Sequence, residues 1–247
     1  MRVLAASWLT SFRPFTTFHL VVAIVCIAAT VVACRVGVRR RGSPFEPWFR
    51  RGWALFTVLV QAEAWWWFSR PERFDPGWTL PLHLCSIVVW IAPVALVFEW
   101  RTPRALLYFW GFGLCMQGLV TPLPQDGLLA PAFWFFWFGH LAIVGSASYL
   151  VIALRYRPTL RDLGTAVAAS LLYVAVVVPL DLAFGWNYGF LGRRPLATRN
   201  VLDLLGPWPW RPAFTVLIGL LVLWVLWAIW QVPPLRRVKP ALPRPAA

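Results

Sequence analysis

The side chains best suited to chemistry are few: three His, four Cys and nine Asp or Glu in 247 residues. Cys85 and His140 are the pair of greatest interest, because a thiol beside an imidazole can become a nucleophile. His83 is the third catalytic candidate. It lies two residues before Cys85, and on a regular helix such residues face nearly opposite ways. Both can share a pocket only if Pro81 leaves the first turn irregular. Glu63, Gln117, Asn187 and Tyr188 are the candidates for holding a substrate. Each residue also has a plainer reading. His19 and His83 suit the headgroup level at helix ends, Gln117 suits an interhelical hydrogen bond, and Glu63 could snorkel or pair with an Arg. Cys26, Cys34 and Cys115 read as inert small apolar groups. No Cys-x-x-Cys or Cys/His zinc spacing occurs, so neither a metal nor a cofactor is expected. Lys239, the only lysine, lies outside the apolar stretches, which excludes a retinal Schiff base.

The elements that must position these groups are membrane helices. The chain is 60% hydrophobic and 13% charged, with a mean hydropathy of +0.67. A soluble domain of this size has too little interior for that much apolar surface. Apolar stretches of about 20 residues, the bilayer-spanning length, recur throughout. They predict an all-α bundle of seven transmembrane helices at about 15–36, 48–68, 79–98, 104–121, 131–154, 164–184 and 211–231, within one membrane domain over 1–231. Residues 232–247 read as a disordered basic tail. A net charge of +14 raises nucleic-acid binding, but the arginines flank apolar runs instead of lining one face. The partners expected are membrane lipids and no nucleic acid; the sequence specifies no oligomeric state. Val31-Val32-Ala33-Cys34 looks like a lipoprotein processing box, yet Arg35, Arg39, Arg40 and Arg41 follow at once and resist translocation. The first apolar segment is therefore expected to stay as a helix.

Orientation follows from the cations. Fifteen of the 23 Lys and Arg fall in the first, third and fifth connections and the C-terminal tail. That side should be cytoplasmic, with the N-terminus outside, in a multi-pass protein of the bacterial inner membrane. Depth can then be read along each helix. His19, Gln61, Glu63, His83, Cys85, Gln117, His140 and Asp181 all fall in the outer half. Polar groups within a bilayer are costly and mark functional sites or packed polar clusters. Their common depth predicts a polar pocket opening outward, lidded by the long sixth connection with Asn187 and Tyr188.

Several short blocks resemble a known family. They are Phe18-His19-Leu20, Leu80-Pro81-Leu82-His83-Leu84-Cys85, Phe138-Gly139-His140, Trp186-Asn187-Tyr188-Gly189-Phe190-Leu191 and Gly206-Pro207-Trp208-Pro209-Trp210. In this order they resemble the bacterial YwaF-type integral membrane family, related to the eukaryotic TMEM164 proteins. The resemblance covers nearly the whole chain and implies a multi-helix membrane protein. For the TMEM164 side it implies a phospholipid acyltransferase acting through a cysteine, with Cys85 as the positional candidate and His140 as its base. A more distant similarity, to membrane hydrolases with a Thr/His pair, would keep His140 and change the nucleophile.

Three function classes remain open from sequence. One is an enzyme that moves or hydrolyses lipid acyl groups through a Cys/His pair. Another is a binding protein, sensor or transporter, although no inverted repeat or signalling domain is visible. In the third, the polar cluster only packs helices.

Overall fold

The computed structural model describes residues 7–122, 125–194 and 201–232. The basic tail and part of the expected lid lie outside them. A short helix α1 (Ser7–Thr10) and strand β1 (Ser11–Phe12) precede α2 (Thr17–Arg39) and α3 (Phe45–Phe68). Next come α4 (Leu84–Val97) and α5 (Arg101–Trp110), which continues as a π-helical turn (Gly111–Cys115) into α6 (Gln117–Val120). Strand β2 (Gln125–Asp126) pairs antiparallel with β1, Ser11 opposite Asp126. Two long helices follow, α7 (Pro131–Ile152) and α8 (Leu160–Phe184), and α9 (Trp210–Ala228) closes the bundle.

Every expected apolar stretch contains a helix, but the helices are not equivalent. Among the described residues, four are long and apolar enough to cross a membrane: Thr17–Arg39, Pro131–Ile152, Leu160–Phe184 and Trp210–Gln231. The other three expected spans depart from that pattern for visible reasons. Helix α3 carries Glu46, Arg50, Arg51 and Glu63. Helix α4 has 14 residues, or about 21 Å at 1.5 Å per residue. Residues 79–83 were expected to be its first turn. Instead Pro81 favours a turn there, in which the Leu82 N–H donates to the Leu80 carbonyl at 2.7 Å. The fourth span is interrupted by the π turn.

Local chemistry sets the helix ends. The Thr16 hydroxyl accepts from the His19 N–H at the start of α2. Thr159 and Asp162 form a reciprocal capping box on α8. Gly185, in the left-handed conformation, ends that helix. Helix α4 is the central element and packs on α3, α5 and α7. Its Val88, Ala92, Ala95 and Leu96 are buried with Leu107, Phe109, Ala147 and Leu150. By contrast, Val25, Ile27 and Val32 of α2 and Leu217 and Leu221 of α9 are exposed. Those faces are suited to lipid.

Charged groups collect at one end of the bundle. Buried Arg50 pairs with Glu46 at 3.3 Å, with Glu99, and with the Leu96 carbonyl at 2.7 Å. Tyr149 donates to Glu46 at 2.9 Å, and Arg104 reaches Glu99 at 2.7 Å. Arg101 bonds Asp162 at 2.7 Å, while Arg41 donates to the Ile152 and Ala153 carbonyls at the end of α7. These contacts join the ends of six helices where only short connections link them.

Candidate functional site

A cavity of about 350 Å³ opens at the opposite end. Its walls come from the last turns of α3, the start of α4, the π turn and α6, the first half of α7, the middle of α8 and the first half of α9. Most of the lining is apolar or aromatic. Cys85, Cys115, His83, His140, Gln61 and Gln117 are the polar exceptions that matter most.

The break before α4 decides what this site contains. His83 caps the helix in an extended conformation, with φ −66 and ψ 138. It therefore stands outside the helical register, and the objection that positions 83 and 85 diverge does not apply. Both residues line the cavity. The His83 ring lies between Trp78 and Tyr188, with centroids 4.6 and 4.7 Å away. Tyr173, another cavity residue, holds the preceding turn by donating to the Leu82 carbonyl at 2.8 Å. Cys85 is the second residue of α4, a helix whose N-terminus has no side-chain cap. Its first amides therefore make no bond to the His83 side chain.

His140 points across the cavity from α7. Its Nδ1 lies 2.8 Å from the Phe136 carbonyl. A carbonyl can only accept, so Nδ1 carries the proton, and in the neutral ring Nε2 presents its lone pair. Cys85, Cys115 and His140 all line this cavity, and the segments that carry them, α4, the π turn and α7, pack on one another. Gly118 makes room for the ring, since a Cβ there would collide with His140 Nε2 and lie 2.5 Å from Cδ2.

Other sequence candidates are placed differently. Gln117 lines the cavity, whereas Glu63 is exposed and is not among the lining residues. The Asn187 side chain bridges its own loop, accepting from the Gly192 N–H at 2.9 Å and donating to the Arg194 carbonyl at 3.1 Å. Tyr188 is buried behind His83. Its hydroxyl donates to the Pro76 carbonyl at 2.7 Å, and its N–H donates to Asp181. Tyr188→Phe should therefore lower stability by about 0.5–1.5 kcal/mol, the net worth of the lost hydrogen bond, measured by thermal unfolding in detergent. An unchanged midpoint would remove Tyr188 from this anchoring role. His19 lies outside the cavity lining, satisfied by the Phe15 N–H and the Leu119 carbonyl.

Cys115, read from the sequence as an inert apolar group, is a further residue of the cavity lining. It ends the π turn and is fully buried. A signal existed, because Cys115 is only two residues from Gln117 at the same expected depth. Cys26 and Cys34 also belong to apolar packing clusters but, unlike Cys115, do not line the cavity. Among the described residues, no group of three or more His, Cys, Asp or Glu could hold a metal ion.

An uncharacterized protein of Treponema pallidum (strain Nichols) is 29% identical over 155 residues. That match spans 62% of this chain and 59% of the relative's length. No solved structure matches. Residues 11–228 match the TMEM164 family. With a match over most of its length and several apolar helices of membrane-crossing size, this chain belongs to the TMEM164 family of membrane proteins.

Proposed function

We propose that the chain is a multi-pass enzyme of the bacterial inner membrane that transfers lipid acyl groups through a Cys85 thioester. In this reading the cavity lies in the outer leaflet of a seven-span bundle, with the N-terminus outside and the C-terminus in the cytoplasm. The observation that supports it is that the Cys85 thiol and an imidazole whose tautomer is fixed line one largely apolar cavity.

The chemistry follows from the atoms present. His140 Nε2 takes the Cys85 proton while Nδ1–H stays on the Phe136 carbonyl. The sulfur attacks the ester carbonyl of a phospholipid. Negative charge then develops on the carbonyl oxygen, where the uncapped α4 amides and the Gln117 amide can donate to it. Gln117 suits this role better than Asn187, whose amide is already engaged within its loop. As the intermediate collapses, the proton on His140 goes to the departing lysolipid oxygen. An acceptor hydroxyl, from a lysolipid or from water, delivers its proton to His140 and takes the acyl group from sulfur. Apolar walls favour the acyl chains over water, which favours transfer over hydrolysis.

The test is to trap the thioester. Purified protein in detergent is mixed with phospholipid carrying a labelled acyl chain and quenched in acid. A hydroxylamine-sensitive acyl group on the peptide containing Cys85 is expected. A protein that acquires no label, or acquires it at another residue, would refute this assignment.

A further inference from the structure

Two thiols share the cavity, and the proposed transfer uses only one. Cys85 and Cys115 come from different helical segments that pack on each other, and both line the cavity that holds His140. Cys115 is fully buried, so no solvent competes for it. It ends a π-helical turn, a single-turn departure from the regular ladder that often occurs at functional sites. We infer that Cys85 and Cys115 are a reversible disulfide site that switches the proposed acyl transfer off. The regulatory meaning rests on the acyl-transfer reading, whereas formation of the bond does not.

Disulfide closure brings two sulfurs to about 2.05 Å with a defined dihedral. Two cysteines on packed segments that line one cavity reach this by rotation about χ1 and a small local shift. The oxidant is a small-molecule disulfide. Cys85, deprotonated by His140, attacks one of its sulfurs, and the first thiolate departs with the proton that His140 received. Cys115 then loses its proton through His140 and attacks the Cys85 sulfur, expelling the second thiolate. Two protein thiols are oxidised and one disulfide is reduced to two thiols. A dithiol reverses both steps. While the bond exists, Cys85 has no thiolate to offer an ester.

Cys26 and Cys34 provide an internal control, because both are buried in α2 and neither lines this cavity. The full-length protein, reduced and purified in detergent, is exposed to cystamine, alkylated with N-ethylmaleimide and digested without reduction. The expected result is a Cys85–Cys115 linked peptide, loss of Cys85 alkylation, and its full return after dithiothreitol. Cys115→Ser should stop at a cysteamine adduct on Cys85, with no linked peptide. A stable adduct on Cys85 of the natural chain would overturn the inference, and so would continued alkylation of Cys85 after cystamine. The two readings fail separately. A linked peptide without any acyl label would refute only the acyl transfer, and an acyl label without a linked peptide would refute only the switch.

Discussion

Replacing His140 by Ala is expected to slow acylation of Cys85 by about 10²–10⁴-fold, the range for a positioned general base. Cys85→Ala should abolish acylation outright, because no atom remains to carry the thioester. The size of the His140 effect rests on geometry. Nδ1 is committed to the Phe136 carbonyl, and the ring packs on Phe136 with centroids 4.1 Å apart, so Nε2 has one orientation. The measurement is the single-turnover rate of label incorporation. Free imidazole should restore part of the rate to His140→Ala, since the truncation leaves a ring-sized space beside the cavity. Gly118→Ala probes the same atom without removing a titratable group. Its Cβ would collide with Nε2 and push the ring from Cys85, so the rate should fall while the natural His140 remains. A natural rate in both variants would take His140 out of the reaction.

Hydropathy made position along each helix legible in the sequence, but not azimuth. The predicted outer-half cluster included Cys85, His83, His140 and Gln117, and these share one cavity. Glu63 was placed with them on depth alone, and the turn of α3 leaves it exposed while Gln61 lines the wall. The spacing of positions 83 and 85 argued against a shared pocket. The turn at Leu80–Leu82 removed that constraint by starting α4 at Leu84. Such a break is visible in Pro81, but its consequence for two side chains is not. Cys115 was harder to read. An apolar segment predicts 3.6 residues per turn, and the π turn at Gly111–Cys115 changes which side chains face inward. Asn187 and Tyr188 stood out as polar groups after a helix. Only the hydrogen bonds distinguish a loop that anchors itself from one that binds a ligand.

At the charged end, Arg50→Ala should cost about 3–5 kcal/mol, the usual penalty for removing one partner of a buried ion pair. Arg50 and Glu46 are both nearly inaccessible, so water cannot replace the lost guanidinium. Glu46 would keep only the Tyr149 hydroxyl among these partners, and the Leu96 carbonyl would lose its donor. Glu99 is partly exposed and retains Arg104, so its share of the loss is screened and small. Acid should act on this same cluster. Burial pushes the Glu99 carboxyl up, but its bond to Arg50 and the charge of Arg104 more than offset that and leave it below the usual carboxylate range. Its stabilisation is therefore complete above the ordinary carboxylate pKa and is lost as pH falls through the depressed value. Thermal unfolding in detergent should show a lower midpoint for Arg50→Ala at neutral pH. The natural chain should also lose stability in acid, and Glu99→Gln should lose less of it over the same range. Equal acid sensitivity in the natural chain and Glu99→Gln would place the titrating group elsewhere. A natural midpoint for Arg50→Ala would mean that the ion pairs do not hold these helix ends together.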